Sequence, residues 1–177
     1  MPTIPYKPLD IEEPRELVAA IRARRGGTLL NLDRMLLYSP AFAKGWNSFL
    51  GAVRNELTLP PRLRELAICT VAVLNDADYE FIQHAPVFLQ AGGTEQQLAA
   101  LRQIGPSWSE SEGFSADELA AIQLAIEMTR AVKVSDTTME RIRSCLLNDQ
   151  QLVELVGVIA TYNMVSRYLV ALGIEPE

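Results

Sequence analysis

The chain contains a single histidine, His84, and it lies four residues after Glu80 in the stretch NDADYEFIQHA, residues 75–85. Side chains four apart on a helix stack on one face, so the spacing predicts an imidazole beside a carboxyl. Both groups fall inside an apolar arc made by Ala77, Phe81, Ile82, Ala85, Val87, Phe88, Leu89 and Ala91, while Tyr79, Gln83 and Gln90 collect on the opposite side. Tyr79 is accordingly expected at the surface or an interface. A third ionisable group, Glu65, stands in the preceding run LRELAICTVAVL, where every later position except Thr70 is apolar. A helix that is hydrophobic all round is buried, so Glu65 is expected to be desolvated, with its pKa raised unless a partner holds it charged. The short turn between the two runs predicts an antiparallel helix pair that brings Glu65 toward Glu80 and His84. Two carboxyls and one imidazole in a partly dry place suit proton transfer, because burial and like charge separate their pKa values into acid and base roles. The same pattern also fits a surface pair of Glu80 and His84 with Glu65 bridging Arg62 or Arg64, and patterning leaves both readings open.

Other side chains are candidates for binding. Near the C-terminus, TYNMVSR places Asn163 and Arg167 one turn apart on an otherwise apolar helix. The planar fork of Arg167 could clamp a substrate carboxylate, or it could answer an internal acid such as Glu65 or Glu154. Trp46 and Trp108 could line an apolar pocket, against the plainer roles of core packing and loop anchoring. Cys69 and Cys145 show no C-x-x-C spacing and are expected to be small core residues rather than zinc ligands or a disulfide. Glu65, Glu80 and His84 could in principle offer the one-histidine, two-carboxylate set of an iron or manganese site. No metal and no cofactor is expected.

These residues need a helical frame, and the sequence punctuates one. An irregular arm with prolines precedes a helix over residues 12–25 that stops at Gly26-Gly27, giving residues 1–25 as arm and first helix ahead of a helical domain over 26–177. Ser39 as N-cap and Pro40 at the first helical position open a helix to about residue 56, and Pro60-Pro61 open the next, to about Leu74. Asn75 to Asp78 form the turn before the helix of His84, inside which Pro86 removes an amide and should kink the segment. Gly92-Gly93 end that helix. Thr94 with Gln97, and Ser115 with Glu118, are capping boxes for two more, and the last two begin at SDTTMERI and NDQQLVEL. Between the capping boxes, GPSWSESEG (105–113) reads as a mobile polar loop. The prediction is an all-α fold of about seven to eight helices.

Composition narrows the function further. With 177 residues, 49% hydrophobic and 21% charged, the chain has the balance of an ordinary globular domain. Its net charge of −6, with basic residues scattered except at RARR (22–25), argues against nucleic acid as a partner. No export signal is visible, and the longest apolar stretch, LVELVGVIA, is interrupted by Glu154, so neither a membrane span nor membrane binding is expected and the location is expected to be cytoplasmic. The apolar character of residues 66–74 and 152–160 is more than one small helical domain easily hides, which points to a homo-oligomer.

The block LPPRLRELAICTVAVLNDADYEFIQHAPVFLQAGGTEQQLAAL, with YSPAFAKGWNSFLGAV before it and DQQLVELVGVIATYNMVSRYLVALG after it, resembles the carboxymuconolactone decarboxylase family over about residues 24–174. The most specific likeness is Glu65, then Tyr79-Glu80, Phe81 and His84. The resemblance implies an alkylhydroperoxidase D-like helical bundle assembling as a trimer or hexamer, with a dimer as a further arrangement. In the peroxidase branch of that superfamily a glutamate, a C-x-x-C pair and a histidine form the site. Here Glu65 and His84 match, but Ala77 and Glu80 occupy the cysteine positions, so thiol-dependent peroxide reduction is disfavoured. The resemblance implies instead cofactor-independent loss of carbon dioxide from a carboxylated lactone or related small ring compound. Its implied roles are His84 as general acid and base, Glu80 as the partner that orients it, and Glu65 as second proton carrier or charge tuner. A non-catalytic oligomer that binds a small ligand is the alternative of a different class.

Overall fold

The computed structural model describes residues 1–105 and 113–177. Among the described residues there are nine helices and no strand, one helix more than the capping signals mark. The expected loop at 105–113, together with Trp108, falls largely outside the described residues. Two compact units are distinguished, one of Met1–Leu57 with Ala171–Glu177, the other of Thr58–Val170.

In the first unit, α1 (Arg15–Arg25) begins three residues later than expected, after Pro14, and ends on Gly26 with φ 75°, a left-handed conformation that glycine adopts without a Cβ penalty. The unforeseen helix is α2 (Asn31–Leu36). Its start is fixed by Asp33, whose carboxylate accepts from the amide of Leu30 and pairs with Arg24 and Arg25. α3 (Pro40–Asn55) begins at Ser39-Pro40 as predicted. Trp46, on α3, is 4% exposed and packs tilted against Phe42 with ring centroids 5.8 Å apart.

The second unit carries the ionisable groups. It is built on α4 (Pro61–Leu74), α5 (Asp78–Gln90), α6 (Glu95–Leu101), α7 (Ala116–Arg130) and α8 (Asp136–Cys145), with α9 starting at Asp149 and running to Leu172. α4 is its centre: Leu66 through Ala72 are all buried, and α5, α6 and α7 pack around it. Glu154 of α9 fixes the approach to α4 by accepting from Thr58 N, Thr58 Oγ1 and Leu59 N at 2.9, 2.9 and 2.8 Å. A tight turn with Asp76 at φ 52° then reverses the chain into α5. The capping boxes of α6 and α7 form as predicted, with Gln97 bonded to the Thr94 amide and Glu118 to the Ser115 amide.

Three expectations about faces are corrected. Tyr79 is buried, at 5% exposure, whereas Ile82 and Val87 of the supposed inner arc are exposed. α5 therefore turns toward α4 and α9 the face bearing Glu80, Phe81, His84 and Phe88. In α9 the inner side buries Leu155, Val158, Ile159 and Tyr162 while Val153 lies exposed, so only the α4 run is buried all round. α9 is also longer and more apolar than the run LVELVGVIA, interrupted by Glu154, implied: it has 24 residues and mean hydropathy 1.4 over its best 18, enough by length and composition alone to cross a membrane. Half of that window is buried within the protein, as in a core helix.

Candidate active site

The burial of α4 leaves Glu65 2% exposed, with each carboxylate oxygen taken by a different partner. Oε2 lies 2.6 Å from Nδ1 of His84, and Oε1 accepts from Nε of Arg64 at 3.0 Å. Burial acts to raise the carboxyl pKa. The hydrogen bond and charge of His84, and then those of Arg64, outweigh it and hold Glu65 below its ordinary range. An ionised carboxylate only accepts, so the proton in this bond resides on Nδ1, which leaves Nε2 as the ring nitrogen that exchanges a proton. The imidazole is 7% exposed and meets the ring of Tyr162 edge-on, 4.9 Å between centroids at 85°.

Glu80, one turn before His84, is 2% exposed. The hydroxyl of Ser166 on α9 lies 3.0 and 3.1 Å from its two oxygens. The carboxylate on Nδ1 of His84 is thus that of Glu65. The hairpin does gather Glu65, Glu80 and His84, and the surface-pair reading is excluded by their burial. The Arg64–Glu65 contact that reading invoked is present as well.

Ser166 is the site residue that sequence reasoning missed. Its only signal was a hydroxyl at a position on the apolar side of α9, one residue before the conspicuous Arg167.

Asn163 and Arg167 are placed differently from either expectation. Arg167 donates through Nη1 to the backbone oxygen and Oδ1 of Asn163, at 2.8 and 2.6 Å, and among the described residues no acid pairs with it. Glu154, the internal acid proposed for it, is engaged at the α4 entry instead. Asn163 is a tie between elements: its amide donates to Thr129 of α7 and to the Ile159 carbonyl, and its Oδ1 accepts from Asn75 after α4. That leaves Asn163 as the anchor of Arg167 rather than a free binding group.

Cys69 is fully buried, and Cys145 half-buried. Burial, then the charges of Glu65 and Glu80, pushes the Cys69 thiol far up, which leaves almost no thiolate. A hollow of about 180 Å³ at the α4–α5 junction is lined by Ala72, Val73, Asp76, Asp78, Phe81 and Arg102, with the Arg102 guanidinium 4.2 Å from the Phe81 ring centroid. Glu65, Glu80 and His84 are not among its lining residues. Among the described residues no three His, Cys, Asp or Glu side chains are arranged to hold a metal ion.

The sequence profile of the carboxymuconolactone decarboxylase family matches residues 40–127, which include Glu65, Glu80 and His84. The chain belongs to the carboxymuconolactone decarboxylase family. The match is narrower than the 24–174 of the sequence resemblance and omits α8 and α9. No curated protein matches the chain. Solved structures share the fold at low identity. An uncharacterized peroxidase-related protein from Silicibacter sp. TM1040 is 19% identical with a TM-score of 0.78, covering 99% of this chain and 90% of its own. An alkylhydroperoxidase core protein from Ralstonia eutropha JMP134 is 14% identical with a TM-score of 0.77, over 99% and 92%. A debrominase in complex with 2,3,4-tribromopyrrole is 14% identical with a TM-score of 0.78, over 100% and 94%. These likenesses establish an alkylhydroperoxidase D-like helical fold.

Proposed function

We propose that this member of the family is a cofactor-independent proton-transfer enzyme of the lyase class, acting on a small carboxylated lactone or related ring compound. The observation that carries the reading is the buried 2.6 Å bond between Glu65 and Nδ1 of His84, which fixes the imidazole tautomer and stabilises the imidazolium when it forms. In the reaction, the bond from the ring to its carboxylate breaks, carbon dioxide leaves, and the electron pair stays behind as a delocalised dienolate. The imidazolium of His84 gives its Nε2 proton to the dienolate carbon and regains one from solvent, so one proton is consumed for each carbon dioxide released. Arg167, aimed by Asn163, is suited to hold a carboxylate of the substrate. Glu80 lies beside His84 as a second proton carrier. The debrominase named above shows that a protein of this fold takes a small ring compound, in keeping with a substrate of that size.

Peroxide reduction lacks its reagents here. The positions of the C-x-x-C pair hold Ala77 and Glu80, and Cys69 is sealed with its thiol protonated. Peroxide consumption with a dithiol donor is expected at the rate of the uncatalysed control and unchanged in Cys69→Ser. Loss of a measurable rate in that variant would restore the peroxidase reading. The lyase reading is tested by carbon dioxide release across a panel of carboxylated lactones and related ring acids, with ligand-induced thermal shift run in parallel. Release from at least one compound supports it. Stabilisation by ring acids with no release from any of them favours the non-catalytic binder.

A further inference from the structure

Arg64 is a cation at the site whose hydrogen-bonding capacity is mostly unspent. Its Nε donates to Oε1 of Glu65 at 3.0 Å, and the other oxygen of that carboxylate meets Nδ1 of His84 at 2.6 Å. One carboxylate therefore bridges the guanidinium and the imidazole and sets them side by side. A guanidinium presents a planar fork of N–H donors and accepts nothing, and the bond to Glu65 uses only the donor on Nε. Among the described residues, neither Nη1 nor Nη2 of Arg64 has a hydrogen-bond partner or a second acid. The Arg64 side chain keeps 13% of its surface open, against 2% for Glu65. Its neighbours are committed elsewhere: Arg62 is tied to Glu118 and the Gly92 carbonyl, and Arg102 lies over the Phe81 ring.

Loss of carbon dioxide creates negative charge at a distance from the group that supplies the proton. The electron pair of the broken carbon–carbon bond moves through the conjugated ring onto its carbonyl oxygen, which becomes an enolate oxygen. The carbon that takes the Nε2 proton and the oxygen that carries the charge are held apart by the conjugated bonds, so one imidazole does not serve both. An anion in a partly dry place is costly unless donors aimed at it are already fixed. We propose that Arg64 is a catalytic residue of this site, its outer guanidinium nitrogens donating to the enolate oxygen while Glu65 holds Nε and fixes the plane of the fork. The origin of the oxyanion rests on the lyase reading; the place that receives it rests on the geometry of Arg64 and Glu65. Glu65 then serves two partners at once, steadying the guanidinium through Oε1 and the imidazole through Oε2.

Tetronate is the probe: a small lactone whose enol is ionised at neutral pH and whose charge is spread onto the ring carbonyl. Its uncharged O-methyl ether is the matched control. In calorimetric titrations the parent is expected to bind tetronate about 10–100-fold more tightly than the ether, the range of a charge-assisted hydrogen bond. Arg64→Gln is expected to abolish that preference by losing tetronate affinity while the ether binds as before. Arg64→Lys keeps the charge without the fork and is expected in between. Arg143→Gln removes the same charge at an exposed position on α8 and is expected to match the parent. A role confined to keeping Glu65 ionised would change both probes alike. The parent preference retained in Arg64→Gln, or no preference for tetronate in the parent, overturns the proposal; if Arg64→Gln does not fold, an undiminished preference in Arg64→Lys overturns it as well. Neither probe loses carbon dioxide, so the titration stands apart from the substrate screen. Arg64-dependent tetronate binding with no release from any ring acid keeps the oxyanion site and removes the lyase reading, whereas release at the same kcat in Arg64→Gln as in the parent keeps the lyase and removes Arg64 from catalysis.

Discussion

At the scale of the residue, the site depends on how Glu65 remains charged in a place that opposes charge. Burial favours its neutral form, while His84 and Arg64 favour the carboxylate and prevail. A carboxyl whose folded pKa lies below its unfolded value contributes stability that is fully present above the unfolded pKa and is lost as pH falls through the folded one. For Glu65 that window lies below its ordinary value of 4.5. Thermal melts of the parent and Glu65→Gln are therefore expected to differ most at neutral pH and to converge on acidification below 4.5. A Tm difference that stayed constant into acid would show that the charge of Glu65 contributes nothing to the fold. The convergence of Glu65, Glu80 and His84 was legible in the sequence, because helical spacing and a short turn leave few other arrangements. Which carboxylate meets Nδ1 was not, since it depends on the rotation of α5 against α4. Ser166 was hidden for a similar reason: a lone serine on a helix has no periodic signature.

Among the elements, the helix ends were the best marked. Ser39-Pro40, Thr94 with Gln97 and Ser115 with Glu118 act through neighbours in sequence, so their effect can be read locally. α2 escaped notice because Asp33 is held by Arg24 and Arg25 of another helix, a tertiary contact rather than a local one. The faces of α5 were misassigned because hydrophobicity alone ranks Ile82 and Val87 above Tyr79, whereas packing on α4 and α9 decides which side is covered. The turn after α5 offers a direct test of that packing. A Cβ on Gly93 would come within 2.3 Å of the ring of Phe88, a fully buried side chain with no room to move aside. Gly93→Ala is expected to destabilise by about 1–3 kcal/mol, lowering Tm by roughly 2–12 °C. An unchanged melt would mean that Phe88 is not confined as described.

For the whole molecule, the sequence signalled assembly, and the exposed apolar residues Ile82 and Val87 on α5, with Val153, Met164 and Val170 on α9, provide surface for it. We expect a homo-oligomer, a trimer or hexamer in keeping with the family resemblance, and sedimentation equilibrium should return a multiple of 19.6 kDa. A monomer across micromolar concentrations would contradict it. The central claim, that His84 moves the proton while Glu65 holds it in place, is tested most directly by the kcat of His84→Gln on a substrate found by carbon dioxide release. A fall of about 10²–10⁴-fold is predicted, the usual contribution of a positioned acid or base. Turnover by His84→Gln as fast as by the parent would contradict the account.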